Sequence, residues 1–138
     1  GSRTRWITPE NDNHGFAAWV QEHADELKLL GPGHHYGEWW GAGIQRGYGL
    51  DEKRFSLFNV HRWSDVRPAC CSVVPILETF KSLSEVRPEF WCHLLRENGS
   101  IAARGYMNPE GVVVYHVASG TSFKMTLEKD EQPKTKET

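Results

Sequence analysis

Strand, helix, three strands, helix and two final strands follow one another along the sequence, an order that predicts an α+β fold of mixed and antiparallel sheets with packed helices. Two observations carry it. Apolar residues recur at helical spacing in two stretches, and short runs rich in β-branched and aromatic residues, bracketed by glycine and proline, stand between and after them. With 138 residues there is room for one domain, burying roughly 65–70 % of its unfolded surface if complete.

Residues 3–7 read as an opening strand, and Pro9-Glu10-Asn11-Asp12-Asn13 as a polar loop. His14-Gly15 then opens a helix. Phe16, Val20, Ala24 and Leu27 share its face, with Trp19, His23 and Leu30 extending it, until Gly31-Pro32-Gly33 stops it. Trp19 reads as core. His34-His35-Tyr36-Gly37-Glu38-Trp39-Trp40-Gly41 is a short aromatic strand carrying a carboxylate. The glycine-rich residues 41–49 that follow are a loop: no Gly-Lys-Ser/Thr appears and no helix pattern opens, both of which a phosphate-binding P-loop requires.

Arg54-Phe55-Ser56-Leu57-Phe58-Asn59-Val60 is an apolar strand with two rings, Phe55 and Phe58, that are candidates for stacking. Residues 71–77 read as a strand with an edge-tolerant proline, Pro75. A helix over residues 84–95 turns Phe90, Leu94 and Trp91 inward and ends at Asn98-Gly99. Last comes a hairpin: Gly111-Val112-Val113-Val114-Tyr115-His116, a turn at Ala118-Ser119-Gly120-Thr121, and Ser122-Phe123-Lys124-Met125-Thr126-Leu127. Glu110 enters its first strand and Lys124 sits in its second. Side chains on adjacent antiparallel strands come within reach of one another, so a carboxylate and an ammonium face one mouth, which suits a metal ion bound together with a phosphate. Residues 130–138 are a charged tail.

Sixteen basic and eighteen acidic residues leave a net charge of −2, which argues against nucleic-acid binding through bulk charge. A local basic stretch remains in Arg46, Lys53, Arg54, Arg62 and Arg67. Cys70, Cys71 and Cys92 show no metal-ligand spacing and fit a reduced, cytoplasmic protein, and zinc at Cys92-His93 is disfavoured. His34, His35, His61 and His116 flank the motifs without ligand spacing. With no apolar run of about 18 residues and no signal-like N-terminus, membrane insertion and secretion are not expected.

Tyr36-Gly37-Glu38, Phe58-Asn59-Val60, Glu110-Gly111-Val112-Val113 and Phe123-Lys124, in that order, resemble the nucleotidyltransferase motifs of the ATP-dependent polynucleotide ligases, most closely an RNA ligase family. Gly1-Ser2-Arg3-Thr4-Arg5 is similar to the arginine-bearing strand that precedes these motifs. The resemblance runs from Arg3 to about Lys134. It implies an ATP-grasp-like adenylation domain over residues 1–129 that uses ATP and Mg2+ to join the 5′-phosphate and 3′-hydroxyl ends of RNA through ligase-AMP and AMP-RNA intermediates. By the same resemblance Glu38 contacts the ribose or holds a metal, and Phe55 or Phe58 stacks on adenine, with Phe55 preferred. Glu110 binds metal, Lys124 touches the α-phosphate, and Arg3 or Arg5 contacts a phosphate or the nucleotide.

These ligases attach AMP to the lysine of a Lys-x-Asp-Gly motif. Lys28, Lys53, Lys81, Lys124, Lys129, Lys134 and Lys136 all stand in other contexts. The resemblance therefore implies a domain lacking its N-terminal strands and nucleophile, inactive alone in self-adenylylation. The alternatives are a non-catalytic relative that binds nucleotide or nucleic acid, and a DNA ligase. Two positions depart from the family pattern: Asn59 replaces an aspartate, and Thr126 stands where many relatives carry a second lysine.

Overall fold

The computed structural model describes residues 5–44 and 47–127. They form an α+β chain with a mixed three-stranded sheet and an antiparallel two-stranded sheet, divided into two compact units, Gly1–Pro75 and Ile76–Thr138. Where the sequence predicts one core, each unit builds an apolar cluster of its own.

In the first unit, residues 5–7 form no strand, and Arg3 and Thr4 of the expected opening strand lie outside the described residues. The Arg5 guanidinium instead donates to the carbonyls of Asn11 and Asp12 at 2.7 and 3.0 Å. Asp12 then organises the start of the helix. Its Oδ1 accepts from the amides of Asn13 and Ala17, both at 2.7 Å, and its Oδ2 from Ala18 at 3.0 Å, satisfying donors that a helix start leaves orphaned. The predicted helix exists in three pieces, α1 (Phe16–Glu22), α2 (Ala24–Leu27) and a 3-10 turn, Lys28–Leu30, which ends at Gly31. The break falls at His23, whose backbone leaves the helical region. It turns Ala24 out to solvent, while Phe16, Trp19, Leu27 and Leu30 keep the inward face.

Strand β1 (Gly37–Gly41) runs antiparallel to β2 (Lys53–Leu57), and β2 runs parallel to β3 (Cys71–Val73). A glycine is required at position 37 by crowding, since a β-carbon there would lie 2.5 Å from the Ser56 carbonyl and 2.6 Å from the Phe55 ring. The central strand ends at Leu57, earlier than the sequence suggests. Phe58 still donates its amide to the Tyr36 carbonyl at 3.0 Å, but Asn59 caps a short helix, α3 (Val60–Trp63), its side chain accepting from the Arg62 amide at 3.4 Å. Strand β3 likewise stops short of the predicted Leu77. Val74 makes the last bond to Leu57, and Pro75 has no amide to donate. Leu30, Phe55, Leu57, Trp63 and Cys71 form the buried cluster of this unit.

In the second unit, α4 spans Pro88–Asn98, later than the predicted residues 84–95. Proline restricts the residue before it to extended backbone, so Leu83–Glu85 forms only a 3-10 turn and the helix begins at Pro88 itself. Its inward face shifts accordingly: Cys92 and Leu95 are buried with Trp91 beside them, while Phe90 is exposed. The helix ends at Gly99, as its left-handed φ of 82° requires. The cluster closes against the hairpin β4 (Gly111–His116) and β5 (Thr121–Thr126) through Val112, Met125 and Leu127. Gly111 pairs with Thr126 at φ 155°, and a β-carbon there would collide with the Met125 carbonyl.

Candidate functional site

Alternation along β1 and β2 separates two faces of the first sheet. Trp39 and Phe55 pair across the strands and point into the core, while Glu38 opposite Ser56 and Trp40 opposite Arg54 occupy the other face. Trp40 Nε1 donates to Ser56 Oγ at 2.8 Å. The Arg54 guanidinium sits 5.9 Å from the centre of the Trp40 ring and donates through Nε to Glu52 at 2.8 Å. Tyr48, in the turn Gly47–Gly49, meets Trp40 edge-on at 5.5 Å. One face thus presents a solvent-exposed carboxylate, a guanidinium and two aromatic rings. Such groups can stack a base, fork a phosphate and ligate a hydroxyl or cation.

Motif reading brings Glu38 to this face but passes over Trp40, Tyr48 and Ser56 as site residues, and notes Arg54 only within a basic stretch. Counting alternate residues from Glu38 reaches Trp40. The rest depend on the β1–β2 register, which the glycine-rich loop does not reveal. Of the two candidate rings, Phe55 is 8 % exposed and its ring lies 5.4 Å from Phe16 and 5.7 Å from Trp19. It fills the core, on the face opposite Glu38. Phe58, just past the end of β2, is 50 % exposed, so the preference for Phe55 is reversed. Arg5 holds loop carbonyls, and Arg3 and Arg46 lie outside the described residues.

In the second unit the expected pair does meet. Lys124 Nζ donates to Glu110 Oε1 at 2.5 Å, with the glutamate 31 % and the lysine 54 % exposed. The Glu110 carbonyl accepts from the Leu127 amide at 2.9 Å, so the open end of the hairpin is closed by a backbone bond at Glu110 as well as by the ion pair. Lys124 lies opposite Val113, on the hairpin face turned away from Val112 and the buried cluster.

Among the described residues no group of three or more His, Cys, Asp or Glu side chains could hold a metal ion by itself. Magnesium needs only one or two carboxylates and completes its shell with water and substrate phosphates. Glu38 or Glu110 would supply such a carboxylate. Among the described residues no helix is long and apolar enough to cross a membrane. Comparison of the chain with protein-family models, with curated proteins and with solved structures yields no match.

Proposed function

We propose that this chain is the nucleotide-binding part of the adenylation domain of a cytoplasmic, ATP- and magnesium-dependent RNA ligase. The observation that carries the reading is the Glu110–Lys124 pair: the two residues that the motif order assigns to metal and α-phosphate are neighbours at the mouth of one hairpin. Three free cysteines agree with a reducing compartment.

Ligation moves an adenylyl group onto a 5′-phosphate and then expels AMP as a 3′-hydroxyl attacks. Both steps gather negative charge on phosphate oxygens, so positioning and charge neutralisation dominate catalysis. Lys124 supplies a positive charge to the α-phosphate. Glu110 would hold the cation, supplying one carboxylate oxygen to it. Magnesium would supply positive charge that lowers the cost of the charge on the phosphate oxygens. Formation of ligase-AMP needs a lysine in Lys-x-Asp-Gly context, which this sequence does not contain.

Calorimetric titration of the chain with ATP, with and without Mg2+, tests the reading. Magnesium-dependent ATP binding, together with a preference for 5′-phosphorylated RNA over the same DNA, is the expected result. No ATP binding would overturn it. A second reading is a relative that binds nucleotide without transferring it. Transfer of label from α-labelled ATP to a form carrying an in-frame upstream Lys-x-Asp-Gly would separate the two.

A further inference from the structure

Cys70 and Cys71 take no part in the proposed chemistry, yet their thiols are placed with care. The two Sγ atoms lie 3.9 Å apart, with neither sulfur in a disulfide. The backbone around them is pinned on both sides. The Cys70 amide donates to Glu26 Oε2 at 3.0 Å, the Cys71 amide to the Pro68 carbonyl at 3.0 Å, and the Cys71 carbonyl accepts from Arg67 Nε at 3.3 Å. Cys71 is buried at the head of β3, paired in register with Phe55, while Cys70 is half-buried and gives access from one side.

This spacing suits a bridging atom better than a direct bond. Adjacent α-carbons are about 3.8 Å apart, inside the lower limit of about 4.4 Å at which disulfides normally form. By contrast, one atom bonded to both sulfurs does not require the α-carbons to separate, and thiols already 3.9 Å apart need only a small side-chain rotation to share it. No third side chain joins them in a potential metal site among the described residues, which selects a centre needing only two protein ligands. We propose that Cys70 and Cys71 form a preorganised dithiol site for a monosubstituted trivalent arsenical.

The chemistry is a condensation. Two As–S bonds form, two S–H bonds and the arsenic–oxygen bond of the arsenoxide break, and the oxygen leaves with both protons as one water molecule. No electrons change hands. Burial and the neighbouring Cys70 thiol push Cys71 up to about 12, and burial also raises Cys70. Both sulfurs are therefore protonated at neutral pH, which leaves in place the protons that the condensation carries off as water.

Phenylarsine oxide added to the native chain provides the test, read by intact mass and by competition. A single adduct is expected, resistant to excess 2-mercaptoethanol and removed by dimercaptopropanol. Cys70→Ser and Cys71→Ser should each weaken uptake at least tenfold, and Cys92→Ser should not. Because Cys71 is buried, the half-buried Cys70 supplies the variant expected to keep the native circular dichroism spectrum. Unfolding in urea should also weaken uptake at least tenfold if the fold sets the sulfur spacing. An adduct that survives Cys70→Ser in a folded chain, disappears in Cys92→Ser, or forms equally well in urea would overturn the proposal.

Discussion

Trp40 Nε1 donates to Ser56 Oγ at 2.8 Å across the β1–β2 pair, fixing the indole on the face that carries Glu38. Ser56 is itself buried, at 4 % exposure, so Ser56→Ala removes an acceptor where water does not readily replace it. Such a loss costs about 1–3 kcal/mol. Urea unfolding should show a destabilisation in that range, and Trp40 emission should shift as the ring gains freedom.

Phe55 and Phe58 separate stability from binding. Phe55→Ala empties a site packed against Phe16 and Trp19 and should cost about 3–5 kcal/mol. Phe58→Ala, at a half-exposed ring, should cost under about 1 kcal/mol while lowering ATP affinity. Parallel denaturation and ATP titration of the two variants check this.

Asn59 has a structural role in the position where the ligase pattern carries aspartate: its side chain accepts from the Arg62 amide and caps α3. Asn59→Ala should destabilise by about 1 kcal/mol. Asn59→Asp should be nearly neutral, because aspartate caps as well and its charge suits a helix N-terminus. Thermal unfolding of both variants distinguishes a capping role from any other.

Acid should loosen the start of α1. Partial desolvation raises the Asp12 carboxyl, but the amides of Ala17, Ala18 and Asn13 and the Arg5 guanidinium outweigh it and hold the group below its ordinary 3.8. A depressed folded-state value means that the stabilisation is present above the unfolded value and is lost as pH falls through the folded one. Amide exchange at Ala17 and Ala18 should therefore accelerate below pH 3.8, and Asp12→Asn should remove that pH dependence.

The hairpin was legible because glycine and proline bracket its strands and β-branched residues fill them, and with it came the meeting of Glu110 and Lys124. Helical spacing likewise found residues 16–30. Other features depend on information that periodicity lacks. The start of α4 is set by the backbone restriction ahead of Pro88, which shifts the inward face from Phe90 to Cys92 and Leu95. The contrast between Phe55 and Phe58 rests on where β2 ends. The grouping of Trp40, Arg54 and Tyr48 rests on a register set across a loop with no periodic signal. Two separate clusters were hidden because no compositional break marks the change at Pro75.

In the proposed function Glu110 and Lys124 bind metal and phosphate rather than merely close a hairpin. Exposed ion pairs contribute about 0–1 kcal/mol, so Lys124→Ala and Glu110→Ala should unfold within about that margin of the parent chain. Calorimetric titration of these variants with ATP and Mg2+ is the most direct measurement. At least a tenfold loss of affinity in each, with the fold intact, is the predicted result; parent-like ATP binding by both variants would contradict it.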